Sequence, residues 1–316
     1  MKTSYDDVRQ SAMTMDIRRC QFCLTYLNNT RHMPISNCDQ NDIHSCQMAI
    51  DDMISMVTSN KNERSHLIAE LEQACAANIL PISHFDWFKE DTRAAFWLWA
   101  YIYQTEDNTL GIPFKNNSFD NMYNRLGLSS SPCNHQGRLS LIITFMDRFT
   151  VSPQAIGFKE NLLERLKEKW KYVYAQPIPL KWLPNEEASV QWAWESLQKH
   201  FPLTFGENTS MFSSARQLTH WFTPYNHDER LLAVRAALDL WVDAPDSKRL
   251  FLLNLNKAWS QRKLRQQRTD KKAVNTYLRN ETKAHLDSLA AHYNMRISDV
   301  LEMLIKERHQ QIKSSS

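Results

Sequence analysis

Four groups of residues in this chain have types and spacings that could do chemistry. Cys20-x-x-Cys23, with Cys38 and Cys46 downstream, has the thiol content of a zinc site. Metal knuckles sit on tight turns, however, and Cys20 falls on the apolar stripe Met13, Ile17, Leu24 and Leu27. Buried helical thiols are therefore expected, and no metal. His227-Asp228 has the form of the paired ligands of HD-type phosphohydrolases, with His200, His220 and Asp243 as the remaining ligand candidates. A simpler reading places Asn226 as a helix cap, with Asp228 and Glu229 in the first turn, where negative charge is favoured. Trp182, Trp192, Trp194, Trp221, Trp241 and Trp259 are spaced to line a helical core rather than a binding face. The fourth group is the run of cations from Arg262 to Lys272.

Several chemistries are excluded. The chain has only 5 glycines, at 111, 127, 137, 157 and 206, and no two lie close enough for a phosphate-cradling loop. Neither a P-loop nor a dinucleotide fingerprint can be written on it. No His-Glu-x-x-His, Gly-x-Ser-x-Gly or nucleophile–base pair is visible, so no enzyme and no cofactor are expected.

The elements that must position these residues are mostly helices. Apolar spacings of three and four predict helices over 42–59, 63–78, 91–103, 139–149, 159–174, 186–200, 226–242 and 247–267, after a first stripe from Met13 to Leu27. Residues 104–137 hold five glycine or proline breakers and form a candidate internal boundary. In 316 residues, 42% hydrophobic and 23% charged, a packed core is feasible. The start lacks the apolar stretch of a signal peptide, and the longest apolar run, Ala94–Tyr103, is too short to span a bilayer. A cytoplasmic protein with reduced thiols and no membrane partner is the expectation.

Charge divides the chain. Residues 257–316 carry thirteen Lys and Arg against six acids, a net +7, which leaves −4 for residues 1–256 given the overall +3. A mildly acidic body with a basic tail is the layout of a protein whose tail meets a polyanion. The expected domains are a helical body over 1–256, a basic helical linker over 257–270, a module over 271–310 and a frayed end over 311–316.

Within that module the period changes. Val274, Thr276 and Leu278 alternate with Ala273, Asn275 and Tyr277, which predicts a short strand. Asn280 offers a cap for a helix carrying Ala284, Leu286, Leu289 and Ala290. Tyr293-Asn294 is a turn in which Asn294 suits the left-handed conformation, and Ser298 offers a cap for a second helix carrying Val300, Leu301, Leu304 and Ile305. About 40 residues of this kind cannot bury enough surface alone. Dimerisation supplies the missing strand edge and covers the helices.

From Lys271 to His309 the chain resembles the ribbon-helix-helix family of Arc-, MetJ- and CopG-like repressors, through Val274-Asn-Thr-Tyr-Leu278 and Ile297-Ser-Asp-Val-Leu301. The resemblance implies a homodimer that lays a two-stranded ribbon in the major groove of double-stranded DNA. It implies base reading by Ala273, Asn275 and Tyr277 and phosphate clamping by Ile297, Ser298 and Asp299. The segment departs from the family in having no Arg or Lys between the strand ends. Counter-ion release then falls to Arg265, Arg268, Lys271, Lys272 and Arg296. Repressor, partition factor and mobile-element accessory factor are not separated by these residues. The other reading is an interaction or antitoxin-like protein whose C-terminal module mainly dimerises, with a protein partner on the body. A helical-body enzyme carried to DNA by its tail is a third.

Overall fold

A computed structural model describes residues 16–35, 38–112, 121–149, 155–200, 219, 222–242, 244–266, 272 and 274–314. The chain divides into two compact units, 1–256 and 257–316.

The first unit is helical. Helices α1 (Ile17–Arg31), α2 (Ile43–Val57) and α3 (Lys61–Asn78) are followed by a 3-10 turn (Ile82–Phe85) and the single turn α4 (Asp86–Lys89). Then come α5 (Thr92–Gln104), the short α6 (Asp107–Leu110) and α7 (Met122–Arg125), α8 (His135–Arg148), α9 (Ile156–Ala175), α10 (Glu187–His200) and α11 (His227–Leu240). Helix α12 (Pro245–Gln266) closes the first unit, and its residues from Lys257 onward begin the second.

Capping chemistry sets where these helices start. The side chains of Asp16, Asp42, Asp91, Asn134 and Asn226 each accept from a backbone N–H two or three residues on, satisfying donors that have no partner inside the helix. Helices α1 to α3 share one core of Cys20, Leu24, Leu27, Ile50, Met53, Leu67 and Leu71. Each such leucine contributes about 1.5–3 kcal/mol by leaving water.

Helix α5 is the centre of the body. Its run Ala94–Ala100 is buried on every side, as an all-round apolar helix must be. It packs against both α8 and α11. Trp99 Nε1 donates to the Tyr123 hydroxyl at 3.0 Å, and that hydroxyl donates to the Ser129 carbonyl at 2.6 Å.

Three forked ion pairs tie these helices across long stretches of sequence. Arg18 holds Asp147 at 2.7 Å, Arg93 holds Asp239 at 2.8 Å, and Arg138 holds Glu229.

Residues 104–137 are not a boundary between units. Asp107, Leu110, Ile112 and Tyr123 within them are buried in the body. Asp107 acts as a clasp there. Its backbone carbonyl accepts from Ile112 N at 2.8 Å, and its Oδ1 accepts from Met122 N at 2.6 Å. Asn121 adds a bond to the Tyr103 carbonyl at 2.6 Å.

The second unit adds α13 (Asn280–Tyr293) and α14 (Ile297–Ser314), which pack on each other. Among the described residues of the whole chain there is no strand. Of the strand expected over 273–278, the described residues 274–278 form none: residues 274–279 carry no regular secondary structure, and Ala273 lies outside the described residues. A strand is defined by its partner, and a single chain offers this segment none. No helix among the described residues is long and apolar enough to cross a membrane.

Candidate nucleic-acid interface

The turn between α13 and α14 fixes the geometry of the second unit. Asn294 adopts the left-handed conformation at φ 49° and ψ 44°. Its N–H donates to Ala291 O at 3.2 Å, and Met295 N donates to Ala290 O at 3.0 Å. An asparagine tolerates this conformation because its short polar side chain lowers the steric cost.

Two caps differ from the sequence reading by one or two positions. Arg279, not Asn280, occupies the cap of α13, and its side chain makes no capping bond. At α14 the Arg296 carbonyl accepts from both Asp299 N and Val300 N, so the helix starts at Ile297 and Ser298 lies inside its first turn. The Ser298 hydroxyl donates to Asp299 Oδ1 at 3.2 Å instead of closing the helix end. Arg296, at the head of α14, is exposed. Such a helix end attracts anions, and Asp299 reduces that attraction.

The expected contact residues are distributed as follows. Asn275 and Tyr277 are exposed, as are Arg265, Lys272, Arg296, Ile297 and Ser298, while Asp299 is half-buried. Ala273, Arg268 and Lys271 lie outside the described residues. Val274 is 84% exposed, so the alternation expected to send Val274 inward and Asn275 outward is not expressed in one chain.

Among the described residues from 272 to 314 only Leu286 and Val300 are buried. Val274, Tyr277, Leu278, Met295, Ile297, Leu301, Leu304 and Ile305 all stay exposed. A folded unit that leaves most of its large apolar side chains in water has an uncovered face, and faces of this kind mark association sites.

The other candidate groups resolve into structure. Cys20, Cys23, Cys46 and Cys75 are buried in the α1–α3 core, and the Cys23 and Cys75 sulfurs lie 3.5 Å apart. Burial pushes the Cys20 and Cys46 thiols up to about 11, and the bond to Cys75 together with burial raises Cys23. Thiols so disfavoured as thiolates are poor metal ligands and poor nucleophiles. Among the described residues no three His, Cys, Asp or Glu side chains are grouped to hold a metal. His227 Nε2 lies 2.8 Å from Asn185 Oδ1, and Glu229 serves Arg138. His220 and Asp243 lie outside the described residues. Of the tryptophans expected in a helical core, Trp194, Trp241 and Trp259 are buried and Trp192 is half-buried, but Trp182 is exposed, and Trp221 lies outside the described residues.

Sequence reasoning missed Arg93, Arg235, Asp239 and Lys248, a charge cluster at the junction of α5, α11 and α12. No motif announces it, because its members lie on three separate helices. In comparisons with known proteins, no family model, no curated protein and no solved structure matches this chain.

Proposed function

We propose that this chain is a dimeric double-stranded DNA-binding protein whose second unit makes both the dimer and the DNA contact. One observation carries the reading: a unit of net +7 keeps the apolar residues Val274, Leu278, Leu301, Leu304 and Ile305 exposed. Charge of that sign suits a polyanion, and uncovered apolar side chains suit a second copy of the same unit. Pairing of residues 273–278 with their counterpart would give both strands the ladder that a single chain lacks and would bury Val274 and Leu278. Asn275 and Tyr277 would then stand on the groove side. The head of α14 and the cations at 265, 272 and 296 would hold phosphates.

The test uses the full chain. Sedimentation should give a dimer, and selection from a random duplex pool should enrich a two-fold symmetric sequence. Asn275→Ala should cost about 1–3 kcal/mol at the enriched site and leave random DNA nearly unaffected. A monomer that retains no duplex at low salt overturns the reading. A dimer that binds no DNA transfers it to the interaction-protein class, in which this unit serves association alone.

A further inference from the structure

Five of the six cysteines gather in one place. Cys20, Cys23, Cys46 and Cys75 are buried in the core that α1, α2 and α3 share, and Cys38 packs against it. One pair in this group is in direct contact. The sulfurs of Cys23 on α1 and Cys75 on α3 lie 3.5 Å apart, one thiol donating to the other. The two residues are 52 positions apart in sequence, on helices that pack against each other. Cys46 is engaged differently, its thiol donating to the Asp39 carbonyl at 3.5 Å.

The contact suits bond formation. A disulfide holds its sulfurs at about 2.05 Å, so this pair must close by only about 1.5 Å. The hydrogen bond also divides two roles between the sulfurs. The bond from Cys23 holds the Cys75 thiol below the ordinary thiol range; the Arg19 charge adds to this and burial opposes it. Cys23 keeps its proton and stands beside it as the second thiol. The thiolate is the form that an oxidant meets.

We propose that Cys23 and Cys75 form an intramolecular disulfide when the chain meets a peroxide, stapling α1 to α3. In the first step the Cys75 thiolate attacks one peroxide oxygen, the O–O bond breaks, and the departing hydroxide takes a proton to become water. Cys75 is then a sulfenic acid. In the second step the Cys23 sulfur attacks the Cys75 sulfur, and the hydroxyl leaves as water with the Cys23 proton. Contact offsets the weak nucleophilicity of a protonated thiol. The peroxide is reduced by two electrons and the two sulfurs are oxidised by two. A molecule of two oxygens enters through local openings of the core too small for bulkier reagents. The new bond closes a loop that contains the whole of α2, Ile43–Val57, and restricts the unfolded chain more than the native one. The pair lies wholly in the first unit and does not depend on the DNA-binding reading.

The experiment treats the reduced full chain, carrying Cys133→Ser to remove the exposed thiol, with hydrogen peroxide in native buffer. The remaining thiols are alkylated in denaturant, and the chain is digested without reductant for mass spectrometry. Peptides joined through Cys23 and Cys75 are expected, and dithiothreitol should separate them. The oxidised chain should melt several degrees higher than the reduced one. That gain should be absent in Cys23→Ala and in Cys75→Ala. The peptide map needs no change at either position, so it decides the matter even where an alanine loosens the core. Recovery of both cysteines in alkylated form, or their linkage mainly to other cysteines, overturns the proposal. A Cys23–Cys75 link that leaves the melting temperature unchanged overturns the stapling.

Discussion

Arg138 and Glu229, 91 positions apart, are locked together by two bonds in the interior, the Nη2–Oε1 bond at 2.9 Å. The guanidinium also lies 4.4 Å from the centre of the Phe96 ring, so α8, α11 and α5 meet at one cation. Removing the carboxylate alone leaves that charge buried and unmatched. Glu229→Ala should lower unfolding stability by about 3–5 kcal/mol. Replacing both partners, Arg138→Met with Glu229→Leu, should recover most of the loss. Urea denaturation of the single and double variants checks this. A double variant as unstable as the single one would show that packing, not the uncompensated charge, sets the cost.

Lys159 gives the fold a pH dependence on the alkaline side. Its side chain is fully buried, donating to the Asn78 carbonyl at 2.6 Å and the Asp147 carbonyl at 3.3 Å. Burial pulls its pKa from 10.5 down to about 8; the Asp147 charge opposes this and Arg18 adds to it. Between those two values the unfolded chain holds a proton that the native chain has lost. Stability should therefore rise with pH from about 8 to 10.5, by up to roughly 3 kcal/mol in all. Below about 8 both states are protonated and the contribution is constant. Denaturation midpoints across this range should flatten in Lys159→Met.

Thiol reactivity should sort by depth. Cys133 is exposed and Cys38 half-buried, while Cys20, Cys23, Cys46 and Cys75 are buried. An aromatic disulfide reagent at pH 8 should modify Cys133 quickly, Cys38 more slowly and the other four only on unfolding. Denaturant should then reveal all 6 thiols. Rapid modification of Cys20 or Cys46 in the native protein would contradict their burial.

Within the DNA-binding reading, two substitutions separate assembly from attraction. Leu278→Asp places a charge where a second copy would cover the apolar face, and it should yield a monomer in sedimentation. Lys272→Ala should leave the dimer intact, weaken all duplexes alike and flatten the salt slope by about one unit.

The helices were legible because burial wrote itself into spacing. The stripe from Ile17 to Leu27, the aromatic run from Ala94 to Tyr103 and the leucines from Leu162 to Leu166 all lie on helices where the three-four pattern places them. Asn294 was legible for a local reason, since its own backbone conformation needs no partner. The segment 274–279 was not, because alternation reports a preference for pleated backbone while a strand needs a second strand beside it. Arg93, Arg235, Asp239 and Lys248 left no mark in the sequence either. Each is an ordinary surface-type residue until three helices converge. The short helices Asp107–Leu110 and Met122–Arg125 stayed hidden because Gly111 and Gly127 bound segments too short to show a period.

The clasp at Asp107 has a consequence for protein engineering. Ile112 and Met122 are both bonded to one aspartate, so the stretch between them begins and ends at a fixed place whatever its length. Chain-closure entropy grows only logarithmically, and doubling the span costs about 0.6 kcal/mol. A reporter domain or an affinity tag placed between Ile112 and Asn121 would therefore start and finish beside points that one aspartate already holds.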